Sequence, residues 1–223
     1  MRQFDNWRNT YLYLEHMTED DPEYESRMLL SHMLKHLDNY LNTCVIQLHR
    51  ISEDTFNIEK ASEQSHNNFQ YHLTFTQLWS DCYFYLNVVE RSYRLIEKIY
   101  LHLNMPQRAK ELWNSSIFKE MKSVRNIIQH MDENLEDGLE KSKPYLKRFE
   151  YHNINWFDSQ YGQMDGNMVI RLKEHEFGFN ESSMEALYSY YDEISKIINE
   201  RYVKPNKENV DAFWGPVSDR FKE

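Results

Sequence analysis

The sequence predicts a mainly α protein: an antiparallel helical bundle with a small β-hairpin inserted before the C-terminal helix. Three observations carry this. All five glycines lie at position 138 or later in the 223 residues, so the long first part of the chain lacks the commonest helix-ender. Across that part, apolar residues recur at three- and four-residue steps, the period of helices with one buried face. Around Asp165-Gly166 the texture changes to aromatic and β-branched residues, "INWFDSQYGQMDGNMVIRL", and Asp-Gly suits a two-residue hairpin turn.

Taken in order, "DDPE" reads as Asp21 capping a helix that begins at Pro22, with Glu23 and Glu25 favouring its N-terminal dipole. Met28, Leu29, Met33, Leu34, Leu37, Tyr40, Leu41, Cys44, Val45, Leu48 and Ile51 continue that helix at three- and four-residue steps, a pattern that "SEDTFNIEKASEQSHNN" then breaks, although part of that segment can form a further helical turn. A second long helix carries Leu78, Cys82, Tyr85, Leu86, Val89, Tyr93, Ile96 and Tyr100, and "NMPQ" stops it, because Pro106 lacks a donor and biases Met105 away from helix. A third runs from about Gln107 to Leu135 on Trp113, Ile117, Met121, Val124, Ile128, Met131 and Leu135. Short connections make such helices antiparallel neighbours. The hairpin occupies about 154–172. After it, Ser182 and Glu185 form a capping box for a helix with Met184, Leu187, Tyr188, Tyr191, Ile194 and Ile198 inside. Residues 1–203 read as one domain and 204–223, polar with Pro205, Gly215 and Pro216, as a C-terminal tail.

Charge and cysteine usage narrow the class. With 26 basic and 36 acidic residues the net charge is −10, which argues against a general nucleic-acid coat. Cys44 and Cys82 fall inside helical apolar patterns, as buried thiols of a reducing compartment do. "MRQFDNWRNT" has no apolar centre of the signal-peptide kind, and no apolar run approaches the roughly 20 residues of a membrane span. A cytoplasmic chain with no membrane association is expected.

The stretch that invites chemistry is "VRNIIQHMDE", residues 124–133. If the stripe of Ile117, Met121, Val124, Ile128 and Met131 faces the core, an ideal helix puts Arg125 roughly 85° from its centre. Asn126 and His130, four apart, then share a face turned largely away from the core. One chain does not clamp Arg125 and His130 together, whereas a dyad laying this helix on its own copy gathers two of each in one cleft.

"RNIIQH", Arg125 to His130, resembles the signature of the HEPN superfamily: an arginine, four to six residues, then a histidine, with a polar residue directly after the arginine. HEPN domains are small helical bundles that carry the motif towards one end of a long helix and commonly dimerise through that face. Many are metal-independent endoribonucleases of toxin–antitoxin, phage-exclusion and CRISPR systems. The resemblance rests on six residues and on architecture over about 110 residues of bundle; the hairpin, last helix and tail lie outside it. It implies a HEPN-like domain over 1–203, an RNA substrate, a homodimer, an antitoxin or other defence protein as partner, and no cofactor or metal. His130 would be the acid/base, since imidazole titrates near neutrality. Arg125 would stabilise charge on phosphorus, and Asn126 would position.

Two departures stand out. Where HEPN toxins paired with a nucleotidyltransferase often carry a tyrosine two places after the histidine, this chain has Asp132, and Asp132 with Glu133 adds negative charge beside the motif. Residues 90–125 nevertheless hold eight basic residues against four acidic, and "KSKPYLKR" adds four more basic ones. A basic strip leading to the motif or an ordinary mixed solvated face both fit. Equally, Arg125 could pair with Glu120, Gln129 or Asp132 along its own helix, which would make the chain a non-catalytic HEPN-like dimeric scaffold. A third class, a metal-dependent helical-bundle enzyme, has weaker support: His32 and His36 at i, i+4 and a lone Glu63-x-x-His66.

Overall fold

The computed structural model describes residues 3–64, 69–129, 153–157, 167–172 and 175–214. Among them the chain is mainly helical with a small antiparallel sheet: α1 (Asn6–Glu15), α2 (Tyr24–Gln64), α3 (Phe69–His102), α4 (Pro106–Leu112), α5 (Ser116–Gln129), β1 (Asn153–Phe157), β2 (Asn167–Leu172), β3 (His175–Phe179), α6 (Ser182–Ile198) and α7 (Lys204–Trp214). None of the helices is long and apolar enough to cross a membrane. The chain forms two compact units, one drawing on the spans Met1–Asn42, Arg91–Leu112 and Leu187–Glu223, the other on Thr43–Glu90 and Trp113–Ala186.

In the first unit, Phe4 is buried; it stacks on Tyr188 at 5.5 Å and meets Tyr191 edge-on at 4.8 Å. Its backbone is held at both ends by Asn42, whose Oδ1 accepts from the Phe4 N–H at 2.9 Å and whose Nδ2 donates to its carbonyl at 2.7 Å. α3 ends as expected before Pro106, but the device is Asn104, at φ 58°. Met105 N–H bonds the Tyr100 carbonyl and Asn104 N–H the Leu101 carbonyl, a left-handed cap in which asparagine replaces the usual glycine. Arg201 adds a bond of 2.7 Å to the Leu103 carbonyl.

Three expectations need correction here, and one element was unforeseen. The helix expected from Pro22 starts at Tyr24; Asp21 caps the turn before it, accepting from the Glu23 N–H at 2.9 Å. Nor does it break after Ile51. Ile51, Asp54, Thr55 and Ile58 are all buried, so the stripe continues but is disguised by polar members. The expected tail is helical through Trp214, and its Val210 is buried against Tyr13 of α1. A π turn, Asn199–Val203, precedes α7, with Lys204 N–H bonding the Asn199 carbonyl. That wider turn relieves the ladder just before Pro205, which can donate nothing to it. Finally, α1 was not foreseen as an element; its short run "TYLYLE" buries Tyr13 and Leu14.

The second unit holds the sheet and α5. The helix expected over Gln107 to Leu135 is two, α4 and α5, parted at 113–115. Asn114 and Ser115 prefer turns and caps to helix interiors, and Trp113 folds back edge-on to Phe118 at 4.6 Å. Residues 130–135 lie outside the described ones. The hairpin's two strands are present, yet β1 pairs with β2 so that Phe157 faces Asn167. Asp165 and Gly166, the expected two-residue turn, lie outside the described residues. "NINWF", richer in β-formers than "YGQM", supplies the partner strand. β3 was missed, because its "HEFGF" is short and contains Gly178. It pairs Met168 with Phe179 and Ile170 with Phe177, and all four are buried on one face. α5 packs on β2 and β3 with Phe118, Met121 and Val124 buried. α6 is capped two residues earlier than Ser182-Glu185 suggests: Asn180 Oδ1 accepts from the Ser183 N–H at 3.2 Å.

Candidate functional site

The site grows from two neighbouring turns within the second unit. Val124 is buried, and Arg125, one residue on, lies at the border of that stripe. Among the described residues its guanidinium is not paired with Glu120 or Gln129 of its own helix, and Asp132 lies outside them. It reaches α3 instead. Nη1 contacts Glu90 Oε2 at 2.7 Å and donates to Asn126 Oδ1 at 3.1 Å, and Nε donates to Asn87 Oδ1 at 3.2 Å. Asn87 is itself oriented by its Nδ2, which donates to the Tyr83 carbonyl at 2.8 Å.

Burial explains the partner. The Glu90 side chain is 6% exposed and Arg125 19%. A carboxylate so enclosed needs a cation at hydrogen-bond distance, whereas exposed acids along α5 gain little from one. The α3 residues were legible only as a polar interruption in "NVVERSY"; nothing in the sequence linked them to Arg125.

Of the predicted trio, Arg125 and Asn126 are in contact. His130 lies outside the described residues. The weak metal pair, His32 and His36, is exposed on α2, and among the described residues no group of three or more His, Cys, Asp or Glu side chains is arranged to hold a metal. In the expected basic strip, Arg108 is committed to Glu193 and Glu111, while "KSKPYLKR" is outside the described residues.

Two further clusters went unforeseen. Asp54 of α2 and Asp81 of α3 are both buried, with Arg50 Nη2 at 3.1 Å from Asp81 Oδ2. Burial, then the Asp81 charge, pushes the Asp54 carboxyl up to about 6. The Cys82 thiol beside them is raised by its own burial and by both aspartates; it contacts Met168 Sδ at 3.3 Å. On the surface, His175 Nδ1 lies 3.1 Å from Glu120 Oε2, joining β3 to α5.

Comparison with protein-family models, with curated proteins and with solved structures finds no match to this chain.

Proposed function

We propose that the chain is a metal-independent, HEPN-type endoribonuclease of a toxin–antitoxin or phage-defence system, acting as a homodimer. The observation that supports it is the clustering of Arg125 with Asn126, the two polar residues that open the HEPN-like "RNIIQH". On this reading His130 takes the proton from the attacking 2′-hydroxyl or returns one to the leaving 5′-oxygen. Arg125 holds the phosphoryl oxygens as charge builds there.

The test is cleavage of RNA by the purified chain in EDTA. Cleavage that persists, yields 2′,3′-cyclic phosphate ends and disappears in His130→Ala is the expected result. Cleavage that stops with chelator and returns with a divalent ion overturns it.

One observation favours a second reading, the non-catalytic scaffold. The 2.7 Å contact between Arg125 and the buried Glu90 is also what a purely structural ion pair needs. A folded wild type that cleaves no RNA and arrests no growth selects that reading.

A further inference from the structure

Arginine offers five N–H donors: one on Nε and two on each terminal nitrogen. Where this protein uses arginine as a plain clamp, all three nitrogens are engaged. Arg108 gives Nε and Nη2 in parallel to the two oxygens of Glu193, both at 2.8 Å, and Nη1 to Glu111 at 2.7 Å. Arg125 is used differently. Nε goes to Asn87, and Nη1 divides its two hydrogens between Glu90 and Asn126. The described contacts of Arg125 thus engage Nε and Nη1, which lie on opposite sides of the guanidinium with Nη2 at its outer end.

We infer that Asn87 and Glu90 of α3 belong to the phosphodiester site as positioning residues, which fix the Arg125 guanidinium by Nε and Nη1 so that Nη2 meets a non-bridging phosphoryl oxygen of RNA. The inference rests on the ribonuclease reading. Its physical content is preorganisation. A guanidinium on a flexible stem must be ordered when the charge develops, and one held beforehand on three oxygens is not. Glu90 also balances the arginine charge while no phosphate is bound, which keeps a half-buried cation tolerable.

The experiment combines cleavage kinetics with NMR of the full chain. Glu90→Gln keeps an acceptor oxygen and removes the charge; Asn87→Ala removes the Nε partner at a half-buried position and serves if Glu90→Gln does not fold. In either variant kcat should fall about tenfold or more while KM for RNA stays level or drops, and the Arg125 Nε–H resonance should lose its protection from exchange. Because both residues act through Arg125, neither change should lower kcat further in an Arg125→Lys background. A wild type that cleaves while Glu90→Gln and Asn87→Ala keep pace overturns this inference alone, as do full further losses in the Arg125→Lys background. A wild type that cleaves no RNA overturns the ribonuclease reading and this inference with it.

Discussion

Arg125 carries two duties, and substitutions separate them. Arg125→Ala removes the cation 2.7 Å from Glu90, whose side chain is 6% exposed, and removing one partner of a buried ion pair costs on the order of 3 kcal/mol. A fall in melting temperature is therefore expected, so lost activity in that variant does not by itself report catalysis. Arg125→Lys keeps the charge but lacks the planar fork that reaches three oxygens. It should stay closer to wild-type stability in thermal denaturation and still lose cleavage; equal destabilisation by the two substitutions would contradict the charge argument. The same reasoning applies to Asp54. Its folded pKa, about 6, lies above the ordinary 3.8. Between roughly pH 4 and 6 the folded chain thus binds more protons than the unfolded one, and stability falls as pH rises through that window. The contribution is full below pH 4 and gone above about pH 6, with Arg50 opposing it and Asp81 and Glu53 reinforcing it. Subtracting the melting curves of Asp54→Asn from those of the wild type across pH 4–8 should isolate that downward slope; an upward slope in the difference would refute the buried-pair account.

At the scale of elements, legibility followed the uniformity of the buried face. The α3 stripe from Leu78 through Tyr100 was read correctly because all of its members are apolar or aromatic, and all are buried. α2 was cut short at Ile51 because Asp54 and Thr55 occupy its buried face: one faces Asp81, the other donates to the Ile51 carbonyl at 2.6 Å. Both interactions are invisible to a hydropathy pattern. The motif shows the same split. Arg125 and Asn126 were legible as a pattern on one helix, but their α3 partners depend on how α5 meets α3, which spacing along one chain does not encode. Caps depend on similar local detail. Asn180 was overlooked for Ser182, although its Oδ1 accepts the Ser183 N–H and its carbonyl accepts the Ser183 hydroxyl at 2.6 Å. A Cβ on Gly178 would stand 3.0 Å from Asn180 Nδ2, so the glycine leaves room for the cap. Asn180→Ala should cost about 1 kcal/mol, read by urea denaturation, and Ser182→Ala much less. The reverse order would return the cap to Ser182.

At the scale of the whole molecule, the question is whether one chain makes the proposed site alone. The sequence spacing sets Arg125 and His130 about 140° apart on an ideal helix, and the Arg125 guanidinium is drawn towards α3 by Glu90 and Asn87. Both facts favour a site that takes its arginine and its histidine from different copies, as the dimeric HEPN reading implies. The consequence can be tested with two variants that retain only residual cleavage. Arg125→Lys supplies an intact histidine and His130→Ala an intact arginine. When the two are unfolded, mixed and refolded together, about half of the dimers are mixed, and each mixed dimer holds one site with both groups and one with neither. Cleavage should then recover to about a quarter of the wild-type rate at equal total concentration, and it should fall on dilution as dimers dissociate. A wild type that light scattering shows to be monomeric while it cleaves would remove the composite site. So would mixed dimers, verified by tags of two sizes, that remain no more active than their parents: both groups would then have to act within one chain.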